Sequence, residues 1–197
     1  MRTMKNLISK QRSLLLTALL TLLTFGTVSA ATNTLDTTDM VGVSFWLAAA
    51  MMLASTVFFI MERNTVADKW KTSMTVAALV TGIAWYHYTY MRDHWVGTGT
   101  SPLVLRYIDW LITVPLQVSE FYLILAAIGV ASAALFWRLF GASIVMLVAG
   151  FLAEANEDIS AISDGMVWPL FAVGMLAWIY IIYEIWAGEA KESVSDA

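Results

Sequence analysis

Five long apolar runs constrain this chain more than anything else in it. They cover about 40–61, 69–91, 102–127, 133–152 and 166–187. Each comes close to the ~20 residues that a helix needs to cross the hydrocarbon of a bilayer. In lipid, every backbone polar group must find a partner inside the protein, so only helices and closed barrels span it. The runs are continuous and lack the every-second-residue alternation of barrel strands. The sequence therefore predicts an all-α membrane protein with five transmembrane helices. Composition agrees: 59% of the 197 residues are hydrophobic and 13% are charged, where a soluble domain carries about 25% charge. The 9 Trp and 7 Tyr suit aromatic belts at the two membrane surfaces. With 0 Cys, disulfides and cysteine metal sites are excluded. The two His are a poor basis for a metal site, and no Gly-rich phosphate loop is present. A net charge of -4 gives no reason to expect nucleic acid.

Residues 1–30 form a separate unit. Arg2, Lys5, Lys10 and Arg12 make a basic start, Leu14 to Phe25 an apolar stretch, and Val28-Ser29-Ala30 a small-residue cleavage site. That is the three-part pattern of a secretory signal peptide; an uncleaved membrane helix is the alternative, although the stretch is shorter than a span. The remainder, 31–197, reads as one domain. Its loop charges give an orientation. Arg63, Lys69 and Lys71 lie between runs one and two, Arg138 follows the third connection, and Lys191 is in the tail. The other side has Arg92 and an acidic set, Glu154, Glu157, Asp158 and Asp164. Basic loops stay inside, so the mature N-terminus is expected outside and the tail inside.

The third run contains RYIDWLITVPLQVSE, Arg106 to Glu120. One arginine and two carboxylates inside a span are costly, and such residues usually mark an ion or proton pathway. Asp109 and Glu120 are eleven residues apart, about 16 Å of rise and roughly three turns, so they share a helix face at different depths. Arg106 lies one turn outward of Asp109, and Thr113 one turn inward. Asp109 is expected to have Arg106 as a cation that keeps it ionised. Glu120 has mostly Leu, Ile and Phe around it and no cation within a turn. One acid held charged and another held protonated is the pairing that a directional proton relay needs. Pro115 removes a backbone hydrogen bond to Leu111 and can bend the helix. Buried ion pairs that only fix helix packing, a channel lining and a transporter helix are the other readings of these residues.

The same segment, RYIDWLITVPLQVSEFYLILAA, resembles the third helix of microbial rhodopsins, and within them the proteorhodopsins. GIAWYHYTYMRDHW, MLVAGFLAEA and WPLFAVGMLAWIYIIYEIWAGE extend the resemblance over nearly the whole chain. It implies a seven-helix retinal protein of the bacterial inner membrane, a photoreceptor that pumps protons outward under light and is not an enzyme. It implies that Asp109 is counterion and proton acceptor, Glu120 the cytoplasmic proton donor, Arg106 the arginine outside the counterion and Thr113 the threonine between them. It implies that His87 stands beside Asp109 and helps to hold it charged; without the family, a core histidine is the plainer reading. Gln117 matches the position that tunes colour, where leucine goes with green and glutamine with blue absorption, so a blue-absorbing protein is expected. The implied pocket walls are Trp110, Val114, Met146, Gly150, Phe171, Gly174 and Trp178, each of which could equally serve helix packing. A homo-oligomer, pentamer or hexamer, with the protomer contact near His87, is implied as well.

The sequence departs from the family in one respect. Such proteins attach retinal to a lysine midway along a seventh helix. The lysines here are Lys5, Lys10, Lys69, Lys71 and Lys191, and none falls mid-span. Five of seven helices are accounted for, so the expectation is a partial chain lacking the last two helices, with a true truncation as the alternative.

Overall fold

The computed structural model describes residues 36–130, 132–155 and 163–195. The predicted signal peptide and the acidic residues Glu157 and Asp158 lie outside the described residues. Five long helices follow one another: α1 Met40–Glu62, α2 Lys71–Thr98, α3 Leu103–Ala127, α4 Ala133–Glu154 and α5 Asp164–Trp186. A short 3-10 turn, Asp68–Trp70, precedes α2, and a short helix, α6 Glu189–Ser195, follows α5. Successive helices pack on one another, α1 on α2, α2 on α3, α3 on α4 and α4 on α5. Short connections force such neighbours to run antiparallel.

Local chemistry sets the helix ends. The Asp39 carboxylate accepts hydrogen bonds from the Val41 and Gly42 amides, at 3.1 and 3.0 Å, and so caps α1. It also accepts from the Trp95 indole, at 2.8 Å, which fastens the start of α1 to the end of α2. Ser132 caps α4 through the Leu135 amide, at 3.2 Å. α2 stops at Gly99, whose φ of 68° suits a residue without a side chain.

The predicted spans match these helices within two residues at most ends. The exception is α2, expected to end at 91 and extending to Thr98. Its last turns, RDHWVGT, are polar and aromatic, and a helix continues where backbone bonding is cheaper than exposure, whatever the side chains are. α1, α3, α4 and the stretch Asp164–Glu192 are long and apolar enough to cross a membrane, with mean hydropathies of 2.0, 1.5, 1.9 and 1.9. α2 has the length, at 28 residues, and lacks that apolarity. Its Tyr, His, Arg and Asp residues dilute the run. It is held instead between α1 and α3. α6 was not legible in the tail. It folds back so that Ala190 joins Leu125, Leu135 and Leu139 in a buried cluster, with Val118, Phe121, Val130, Ile181 and Ile185 packed around it. α3 continues as helix through Pro115, and α5 likewise contains Pro169. Large apolar side chains such as Trp46, Leu176 and Trp186 are exposed on the outer faces, as expected when lipid is the solvent.

Candidate functional site

Both acids of α3 look onto α2. Asp109 is 2% exposed, and His87 of α2 brings its Nδ1 within 3.4 Å of Asp109 Oδ1. That nitrogen makes its hydrogen bond with the Ile83 carbonyl, at 3.0 Å. Asp109 Oδ1 consequently remains buried without a hydrogen-bond partner. Glu120 is half-buried and receives a hydrogen bond from the buried hydroxyl of Ser73, also on α2. Ser73 and His87 are fourteen residues apart, about 21 Å along a helix, nearly a turn more than the roughly 16 Å between Glu120 and Asp109. The antiparallel pair thus matches two polar residues to two acids. The expectation of an apolar surrounding for Glu120 is corrected by Ser73.

Thr113 is buried and donates to the Asp109 backbone carbonyl, at 2.9 Å, rather than to a carboxyl group. Arg106 corrects the expectation more sharply. It forms an ion pair with Glu154 of α4 and donates to Ser101 Oγ at 3.3 Å. Its guanidinium lies over the rings of Trp110 and Tyr107, at 5.4 and 5.8 Å. No ion pair joins it to Asp109 among the described residues. A partner 48 residues away on another helix depends on how the two helices are rotated, which spacing within α3 cannot reveal.

Between α3, α4 and α5 lies an apolar cavity of about 880 Å³, open on one side. Trp110, Val114, Met146, Gly150, Phe171, Gly174 and Trp178 all line it, together with Tyr107, Leu147, Ala153, Glu154, Val167, Trp168 and Met175. The second group escaped the sequence reading, although helical spacing offered a signal. Trp168, Phe171, Met175 and Trp178 follow one another at three- and four-residue steps, as one face of a helix does. Gln117 is not among the lining residues and is exposed. Two glycines bring the walls together. A Cβ at Gly174 would stand 3.4 Å from the Met146 carbonyl oxygen, and one at Gly150 would stand 3.1 Å from the Tyr107 hydroxyl.

Asp109, a buried carboxylate with an oxygen that lacks a hydrogen bond, is next in sequence to Trp110 in the wall of this aromatic cavity. Comparison with known proteins supplies the context. The profile of the family described as bacteriorhodopsin-like protein matches residues 39–196. The chain belongs to this family. It is 54% identical over 171 residues to the green-light absorbing proteorhodopsin of Gamma-proteobacterium EBAC31A08, covering 87% of this chain and 66% of that protein. Against the blue-light absorbing proteorhodopsin of Gamma-proteobacterium Hot 75m4 it is 56% identical over 169 residues, covering 86% and 64%. The crystal structure of a blue light-absorbing proteorhodopsin from Med12 superposes with a TM-score of 0.66 at 58% identity, over 78% of this chain and 70% of that one. This rhodopsin-family chain is thus a multi-pass membrane protein with the microbial rhodopsin fold. It spans about two thirds of the length of the curated relatives it matches.

Proposed function

We propose that the protein is a light-driven outward proton pump of the proteorhodopsin type, with retinal in the α3–α5 cavity. The observation that carries this reading is Asp109: buried, with one carboxylate oxygen that lacks a hydrogen bond and has His87 3.4 Å away, and next in sequence to the cavity wall residue Trp110. Such a group is costly in a membrane interior unless something positive joins it. The residues fit retinal. The cavity volume is that of a small-molecule site, and its walls are apolar and aromatic. Retinal, when linked to a lysine, supplies light absorption and a proton that light makes transferable.

The chain's own residues would do the rest. Asp109 accepts a proton on the outer side of the cavity. Glu120, about 16 Å further in, gives one from the inner side, with Ser73 bonded to its carboxyl group. Pro115 lies between them and leaves the Leu111 carbonyl without its helical donor, an acceptor for water along the path. An acceptor outside and a donor inside set the outward direction. The orientation itself is supported by Arg63, Lys69 and Lys71 between α1 and α2. Lys69 stands in the 3-10 turn before α2, Lys71 at the start of α2 and Lys191 in α6, so the linking lysine is assigned to a further helix of the complete protein. Gln117 tunes absorption toward blue in this reading, and the membrane is the bacterial inner membrane. The homo-oligomer meets near His87, where Tyr86 and Tyr90 are exposed on α2.

The test is light-driven transport in cells expressing the complete protein. Illumination should acidify the medium, and Asp109→Asn should abolish the effect. Acidification that persists in Asp109→Asn would remove the acceptor assignment.

A further inference from the structure

Arg106 and Asp109 are three residues apart on one helix, within pairing reach. Asp109 is buried and carries an oxygen without a hydrogen bond, and Arg106 Nε is likewise buried without one. Two halves of an ion pair stand a turn apart and have not joined. Leaving a buried charge unpaired is unfavourable, so something must hold the arginine elsewhere.

We propose that Glu154 is a positioning residue which, with Tyr107, holds the Arg106 guanidinium at the outer end of the cavity and away from Asp109. The inference rests on the reading of Asp109 as the acid that faces the chromophore. Arg106 is restrained by its ion pair with Glu154, by Ser101 and by the faces of Trp110 and Tyr107. A surface ion pair alone is weak, but Glu154 is itself fixed. The Tyr107 hydroxyl donates to Glu154 Oε2, at 3.1 Å. Tyr107 is buried, and its ring is set edge-on against Phe151 and Trp110, with centroids at 5.2 and 5.1 Å. Its hydroxyl occupies the space that a side chain at Gly150 would enter, 3.1 Å from an added Cβ. The bare helix surface at Gly150 therefore makes room for Tyr107, Tyr107 holds Glu154, and Glu154 holds Arg106. The consequence lies at Asp109. With the arginine drawn off, His87 is the cation-capable side chain left in contact with it, and its open oxygen stays free for the cation of the bound chromophore.

The experiment is a solid-state NMR distance measurement on the complete protein in lipid vesicles, with and without retinal. Guanidinium nitrogens and carboxylate carbons carry the labels. The wild type should show Arg106 in contact with Glu154 and out of contact with Asp109. Glu154→Gln should lose the first contact and gain the second, with a displaced visible band in the retinal-bound form. Glu154→Asp should restore both toward wild type. An Arg106–Asp109 contact already present in the wild type overturns the proposal, whatever the variants do. So does an arginine in Glu154→Gln that never approaches Asp109. The contacts are read without illumination, so failure of pumping and failure of this proposal are separate results.

Discussion

At the scale of single residues, the seven side chains that the resemblance implied as pocket walls all line one cavity; residue type alone left helix packing an equal reading for each. Charges were less legible. Arg106 was expected at Asp109 and pairs with Glu154, since a long side chain chooses among partners that only helix rotation brings within reach. Gly150 shows how one missing side chain carries a network. Gly150→Val puts atoms where the Tyr107 hydroxyl sits. We expect a loss of about 1–3 kcal/mol from overpacking, read as a lower unfolding temperature by circular dichroism; an unchanged temperature would show that the wall gives way freely. Gln117 lies three residues beyond Val114 and outside the cavity lining. Gln117→Leu should still move the visible band to the red in the complete pigment, and an unmoved band would remove Gln117 from the tuning role.

At the scale of elements, helix existence and order were written in the apolar runs, and helix ends were not always so. α2 extends past its apolar part because Gly99, with its positive φ, is the first residue to stop it. At that end Asp39 ties it to α1. Hydrogen bonds from the Gly42 amide and the Trp95 indole hold the Asp39 carboxyl below the usual carboxylate range. A depressed folded value means that this stabilisation is present above the unfolded value, about 3.9, and is lost as pH falls through the folded one. The Trp95 indole N–H resonance should therefore keep its position from neutral pH down to about pH 4 and shift only in stronger acid; a midpoint at or above the unfolded value would contradict the cap. The α5–α6 junction is equally particular. A Cβ on Gly188 would stand 2.8 Å from the Glu184 Cα and 3.1 Å from its carbonyl oxygen, both backbone atoms. Gly188→Ala should displace α6, exposing Ala190 and speeding hydrogen exchange over 189–195. Unchanged exchange would mean that the junction adapts.

At the scale of the whole molecule, the membrane and the run of five long helices were legible because lipid imposes a length and a composition that few other settings share, and the family was legible only in the resemblance of particular segments, RYIDWLITVPLQVSE of α3 above all. What the sequence could not give is how two helices face each other. The match of Ser73 and His87 on α2 to Glu120 and Asp109 on α3 emerges only from the packed pair. That match suggests one polar seam with an acid at each level, and it is where a proton path would run. Glu120→Gln should slow recovery after a flash several-fold or more, as general acid–base groups contribute about 10²–10⁴ in rate; an unchanged recovery would leave Glu120 a structural residue. The order in which the two acids change protonation tests the proton path most directly. Time-resolved infrared spectroscopy of the complete pigment, with Asp109→Asn and Glu120→Gln to assign the two carboxyl bands, measures it. Asp109 should gain a proton first and Glu120 lose one afterwards. The reverse order, or silence from Asp109, would contradict that path.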